Sequence, residues 1–237
     1  MNYRQVMKEL KSVGTAQNRK IYARHGAQQP LFGVSSANLI RIKKDVLRLP
    51  GQARKYAKHD HPVAVELWES GNYDARCLGT MLADPEQMKS AQLDRWMRDC
   101  DSYPIEGALV GLTAKTRFAQ SKMEKWRKSG REMTAAAGWN LLVEIALADR
   151  DLPASFFVPY LQEIRGAIHG GKNRARYAMN NAVIAIGGRS PGLRRRAIAA
   201  AKKIGPVDVD HGETGCKTPD AVPYIERMWE RKSRKSA

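Results

Sequence analysis

The stretch from Asp99 to Leu112 reads Asp-Cys-Asp-Ser-Tyr-Pro-Ile-Glu-Gly-Ala-Leu-Val-Gly-Leu. It sets three carboxylates, Asp99, Asp101 and Glu106, beside two aromatics, Trp96 and Tyr103, in a basic chain. A carboxylate among aromatic rings can stabilise a cationic transition state electrostatically. The same residues also suit a helix start. Asp101 or Ser102 can cap it, Pro104 fits the first turn, and Glu106 can close a capping box. A second candidate is Lys172-Asn173-Arg174-Ala175-Arg176-Tyr177-Ala178-Met179-Asn180-Asn181. Arg174 and Arg176 follow Gly170-Gly171 at a helix start, and helix N-terminal amides with arginines suit a phosphate. Arg194, Arg195 and Arg196, then Lys202 and Lys203, extend that basic surface, and Lys43 and Lys44 supply one near the other end of the chain. A solvated charged face is the alternative use of all of them.

Metal and cofactor chemistry find less support. The tract from Val207 to Pro219 holds Asp208, Asp210, His211, Glu213 and Cys216, but at no familiar zinc or calcium spacing. It reads as a loop packed over helix ends, with Thr218 and Pro219 starting the last helix. His59-Asp60-His61-Pro62 poses a smaller version of the question, and capping by Asp60 or His61 answers it. Trp126 and Trp139 flank Ala135-Ala136-Ala137-Gly138, whose small side chains admit a close helix crossing or a ligand. No Gly-x-Gly-x-x-Gly, P-loop, Gly-x-Ser-x-Gly or His-Glu-x-x-His occurs. No cofactor and no metal are expected.

The elements that must position these residues are helices almost throughout. Asn2 can cap a helix burying Val6, Leu10 and Val13, and Thr15 to Arg24 reads as a second. Residues 28–35 form a loop. Ser36 caps a helix with Leu39, Ile40, Ile42, Val46 and Leu47 inward, ending before Pro50. Gly51 to Lys58 reads as a short helix. A helix from Pro62 with Val65 and Trp68 inward follows, then one over 72–83 burying Ala75, Leu78 and Leu82. Residues 86–99, 103–114, 116–128, 131–148, 154–169, 173–187, 190–204 and 219–232 continue the pattern, separated by Gly and Pro breakers. The only strand-like run is Val207-Asp208-Val209. Helices of this length arriving in pairs suggest an all-α, curved α-solenoid of HEAT-like repeats, with a compact bundle as the competing form. One domain over 1–237 is expected, closing with a loop and final helix from 205 and a frayed tail over 231–237.

Charge narrows the partner. The 237 residues carry 41 Lys and Arg against 24 Asp and Glu, a net charge of +17. Residues 1–60 contribute +10, residues 61–160 contribute −2, and residues 161–237 contribute +9. Two basic ends around a neutral middle favour a polyanion, most simply nucleic acid. No apolar run approaches the ~18 residues of a membrane span, and the start lacks the apolar core of a signal peptide. Three separated cysteines argue against a disulfide framework. A cytoplasmic, nucleoid-associated monomer is expected.

Four stretches carry a family resemblance. They are Pro30-Leu31-Phe32-Gly33-Val34 before the basic helix at 36–49, and Glu66-Leu67-Trp68 before Ala75-Arg76. Trp126-Arg127-Lys128-Ser129 before Ala136-Ala137-Gly138-Trp139 follows, then Arg176-Tyr177-Ala178-Met179-Asn180-Asn181 before Ile186-Gly187. In this order and spacing the chain resembles the AlkD-type DNA alkylation repair proteins, the HEAT-like-repeat DNA glycosylases. The resemblance implies a curved solenoid holding double-stranded DNA on a basic concave face. It also implies excision of positively charged alkylpurines without base flipping. An Asp at a helix start would stabilise the oxocarbenium-like sugar, and tryptophans would contact the backbone.

The sequence departs from that pattern where the chemistry lies. In the best register Tyr103 replaces a tryptophan and Gly107 replaces the catalytic Asp. Asn181 stands where a second tryptophan is expected, and Ala135 or Ala136 where an arginine is. Glu106 is the nearest substitute carboxylate, but one residue along a helix turns a side chain by about 100°. Asp101 serves only in a register that breaks the downstream match. The first reading is therefore a glycosylase-like DNA-binding protein without standard excision, recognising damaged or distorted DNA. Its contacts would come from Tyr103, Trp139, Asn181, Arg174, Arg176, Arg194, Arg195, Lys43 and Lys44. The second is an active alkylpurine glycosylase using Glu106 or Asp101, and the third is a helical-repeat scaffold for an acidic protein.

Overall fold

The computed structural model describes residues 1–28, 30–49, 55–148 and 151–236. Among them it holds thirteen α-helices and no strand, the one isolated bridge joining Arg48 and Tyr56. The chain is all-α, and the Val207–Val209 run forms no strand. No helix among the described residues is long and apolar enough to cross a membrane. Contacts divide the chain into two compact units, Met1–Phe118 and Ala119–Ala237.

The first unit contains α1 (Tyr3–Val13), α2 (Ala16–Arg24), α3 (Ser36–Leu47), α4 (His61–Glu69), α5 (Tyr73–Leu82), α6 (Ser90–Asp99) and α7 (Tyr103–Thr113). Local rules set most of their starts. Asn2 and Gln5 form a reciprocal capping box on α1, and Thr15, Asp60 and Asn72 cap α2, α4 and α5 with their side chains. The cap of α3 is Ser35 rather than Ser36, its Oγ accepting from the Asn38 N–H at 3.3 Å. Ile40 is not inward but 48% exposed, because Leu39, Ile42, Val46 and Leu47 already occupy the buried arc. The expected helix at 51–58 is corrected over its described part. Residues 55–58 turn back on the end of α3, with Lys55 C=O accepting from Leu49 and Ala57 N–H donating to Leu47, so no helical ladder forms. Residues 51–54 lie outside the described residues.

α3, α5 and α7 pack side by side, backed respectively by α1, α4 and α6. Trp68 of α4 and Trp96 of α6 stack at 4.3 Å and 3°. Trp68 Nε1 donates to Asp99, and the Arg76 guanidinium lies over the Trp68 ring. The 30–34 loop is fixed by Asp74, fully buried in the first turn of α5. Its carboxylate accepts the N–H groups of Phe32, Gly33 and Val34 at 2.6, 3.0 and 2.8 Å. Burial pushes the Asp74 carboxyl above the usual range, and these three bonds oppose that shift. Gly33 is required here: its φ is +81°, and a Cβ would sit 2.4 Å from the Thr15 carbonyl oxygen.

The second unit contains α8 (Ala119–Trp126), α9 (Glu132–Ala148), α10 (Ala154–Ala167), α11 (Asn173–Gly187), α12 (Pro191–Ile204) and α13 (Ala221–Ser236). α9, α11 and α13 form one layer, with α8 packed on α9 and α12 on both α11 and α13. α10 neighbours α12 in the other layer. α13 continues to Ser236, past the point where the sequence suggests fraying. The Ala135–Gly138 run serves a helix crossing: a Cβ on Gly138 would meet the Arg127 amide nitrogen at 2.1 Å. Arg127 itself is 8% exposed and ion-paired with Glu124 and Glu163. Its guanidinium lies over the rings of Trp139 and Tyr160 at 5.5 and 5.3 Å.

Candidate nucleic-acid interface

In the first unit the site residues divide between two sides of α7. Pro104 in the first turn pre-sets the helical backbone, and Ser102 is the N-cap. The expected capping box does not form. Ser102 makes no side-chain cap bond, and Glu106 falls one residue beyond the position a box needs. Ile105, Glu106, Leu109, Val110 and Leu112 face the core. Tyr103, 37% exposed, and Gly107 lie on the open side, and a Cβ on Gly107 would meet nothing within 4 Å.

Glu106 does not reach that open side. Glu106 is only 6% exposed, because the 100° step from Gly107 turns it into the core. Asp101 precedes α7, half-buried, with Oδ1 enclosed and without a hydrogen-bond partner. Both lie near Cys100, whose thiol is pushed far above its usual range by burial and by the Glu106 and Asp101 charges. Glu106 is thus corrected from a groove-facing catalyst to an interior group of the first unit, whereas Asp101 stays half-buried before α7, close enough to the cleft-lining Cys77 to raise its thiol.

Beside the open side of α7 lies a cleft of about 470 Å³ lined by Tyr22, Leu39, Tyr73, Cys77, Pro104 and Ala108. Tyr22 is tied by its O–H to the Val34 carbonyl at 2.7 Å. Burial, with Asp74 adding to it, pushes the Cys77 thiol up to about 12. Cys77 is therefore protonated at neutral pH and offers no thiolate nucleophile. On α3, Lys43 is half-exposed and Lys44 exposed, whereas Arg41 is spent on Glu9 and Asp45.

In the second unit a cleft of about 490 Å³ opens on α9, α11 and α13, lined by Asn140, Val143, Tyr177, Asn181, Lys217 and Tyr224 among others. Asn181 is where the sequence places it, half-exposed on the open side of α11. Trp139 is not: it is 4% exposed beneath the Arg127 guanidinium, and its neighbour Asn140 faces the cleft instead. Trp139 is therefore corrected to a core residue. Asn140, Tyr177, Lys217 and Tyr224 were not singled out as contacts from sequence. Helical spacing from Asn181 reaches Tyr177 four residues before it, but nothing local reveals Asn140 or Tyr224.

At the start of α11 one backbone donor is already taken. Glu132 Oε1 accepts the Arg174 N–H at 2.7 Å, so a carboxylate already occupies the helix terminus. Asn173 is clasped to Asp210 by two bonds of 2.7 and 2.8 Å, and Lys172 Nζ donates to the Gly130 carbonyl. Arg174 and Arg176 are both half-exposed, with Arg176 Nε enclosed. Arg194 lies over the Trp229 ring at 5.5 Å, and Arg195 is exposed. The 207–219 loop packs on α11. His211 meets the Tyr177 ring edge-on at 5.2 Å, and Asn180 Nδ2 donates to the Pro219 carbonyl at 2.9 Å. No three His, Cys, Asp or Glu side chains among the described residues are grouped to hold a metal ion.

These two faces present aromatic, amide and cationic groups, with Gly107 exposed on α7. The chain is similar in sequence to two uncharacterized proteins. Lin0241 of Listeria innocua is 30% identical over 98% of this chain and 99% of its own length. Lmo0209 of Listeria monocytogenes is 29% identical over the same shares. A solved structure matches with a TM-score of 0.85 and 27% identity, over 98% of this chain and 95% of its own. It represents a new family of proteins related to the HEAT-like repeat DNA glycosylases with affinity for branched DNA structures. The family model for the DNA alkylation repair enzyme matches residues 6–225. With that match spanning nearly its whole length, the chain belongs to the DNA alkylation repair enzyme family.

Proposed function

We propose that this protein binds branched or distorted DNA and does not excise alkylpurines by the family's usual route. The observation that carries the reading is the open side of α7. Tyr103 and Gly107 occupy it, Glu106 is turned inward, and no side chain is present at 107 to face a sugar. An oxocarbenium-like sugar needs a negative charge within a few ångströms to be stabilised. A glycine supplies none, so the bond to the base keeps its uncatalysed lifetime.

What α7 retains is suited to holding a nucleic-acid backbone. Gly107 lets a sugar-phosphate chain approach the helix closely, and Tyr103 offers an exposed ring for stacking. In the second unit Tyr177, Tyr224, Asn140 and Asn181 offer rings and amides in one cleft, with Lys217 as the cation. Such groups suit an unpaired or kinked step better than a regular duplex, whose bases are already stacked. The branched-DNA affinity of the matched structure supports the same reading.

The test is a pair of assays on one preparation. Alkylated duplex DNA should release no N3- or N7-alkylpurine above the background rate. A four-way junction should bind with affinity that falls steeply as salt rises, because phosphate contacts release counterions. Base release by the protein, or binding indifferent to salt, would overturn the proposal.

A further inference from the structure

The other layer of the second unit carries a basic groove that the proposed interface does not use. It lies between α10 and α12, with a volume of about 180 Å³, and its floor includes Leu161 and Ala200. Arg165 from α10 and Arg196 and Lys203 from α12 line it, and all three are exposed. None of the three has an ion-pair or hydrogen-bond partner among the described residues. The acidic side chain of α10, Glu163, is taken up by Arg127. α12 carries five basic residues, Arg194, Arg195, Arg196, Lys202 and Lys203, and no acidic one. Three cations held near one another without counter-charge repel, and that cost is recovered when a polyanion neutralises them.

The position of this groove selects the polyanion. The Asn140, Tyr177 and Asn181 cleft lies on the α9, α11 and α13 layer, and α10 and α12 form the opposite layer. Two helix layers are together about 20 Å thick. One straight duplex seated on the first layer does not reach the second. Diverging arms of a branched DNA do.

We propose that the α10–α12 groove is a second DNA contact that holds one arm of a branched DNA while another arm lies on the α9, α11 and α13 face. It rests on the DNA-binding reading given above. Arg165, Arg196 and Lys203 contact phosphates there, so the groove adds affinity for junctions and none for linear duplex.

The test is the triple variant Arg165→Gln, Arg196→Gln, Lys203→Gln, compared with the unaltered protein on a four-way junction and on a linear duplex of equal arm sequence. All three side chains are exposed, so the melting temperature should hold. Junction affinity at low salt should fall about tenfold or more, and its log–log salt slope should flatten by about 3, one for each lost phosphate contact. Linear-duplex affinity should stay within about twofold of the unaltered protein. Equal losses on both DNAs, or no loss on either, overturn the second contact while leaving DNA binding itself standing. Failure of the unaltered protein to bind either DNA instead overturns the DNA-binding reading.

Discussion

Replacing Gly107 probes the open side of α7 in a way that separates stability from binding. A Cβ there would meet nothing within 4 Å, so Gly107→Ala fits without displacing any group. A helical Gly is about 0.8–1.0 kcal/mol less favourable than Ala, and the variant should be stabilised by roughly that amount. Melting should rise by about 2–4 °C for a chain of this size. Gly107→Asp gains less propensity, and as the fifth residue of α7 it lies past the first turn, where the helix dipole helps a carboxylate little. It should be neutral or stabilising by a few tenths of a kcal/mol. Binding should move the other way. If a sugar-phosphate backbone lies against Gly107, a carboxylate placed there repels it by about 1 kcal/mol at about 4 Å in water and more when solvent is displaced. DNA affinity of Gly107→Asp should therefore fall fivefold or more, and Gly107→Asn, equal in size and uncharged, should fall much less. Denaturation melts and fluorescence-anisotropy titrations read both quantities. A destabilised Gly107→Ala would show that the position is not open. A stable Gly107→Asp with unchanged affinity would remove α7 from the interface.

Other outcomes follow from the two units. Gly138→Ala should destabilise the second unit by about 1–3 kcal/mol or more, because its Cβ would lie 2.1 Å from the Arg127 amide nitrogen; equilibrium unfolding reads this, and a neutral result would contradict the close crossing. Asp74→Ala removes the acceptor of three backbone N–H groups and should cost about 3 kcal/mol or more, with proteolysis first appearing near residues 30–34. Intact resistance to protease would contradict the anchoring role. His61 is held below its usual range by burial, and its Nδ1 accepts the Asp84 N–H at 3.3 Å. The unfolded chain therefore binds the proton more readily, so stability falls as pH drops below about 6.5. Thermal melts at pH 7 and pH 5 should show that fall, reduced in His61→Asn, which keeps an acceptor but does not titrate.

Much of the architecture was legible because short-range rules govern it. The Asn2 cap, the Asp60 cap offered beside His61 and the Gly and Pro breaks follow from residues three or four apart, while the Gln5 half of the α1 box and the Asn72 cap went unread although they obey the same rule. Misreadings fall where a distant partner decides. Glu132 reaches the start of α11 from 42 residues away and takes one of the N–H groups that the sequence offered to a phosphate. Trp139 is sealed inside by Arg127, while Asn140 beside it faces the cleft. Asp74 looks like an ordinary first-turn acid until the 30–34 loop folds onto it. The inward turn of Glu106, by contrast, followed from the helical step alone.

Base release is the measurement that bears most directly on the proposed loss of excision. Purified protein, at a concentration that saturates the DNA, is incubated with duplex carrying N7- and N3-alkylpurines, and the freed bases are quantified by chromatography. The expected result is release no faster than in DNA alone. Release above that rate would contradict the account, and its loss in Glu106→Gln with DNA affinity kept would return Glu106 to catalysis.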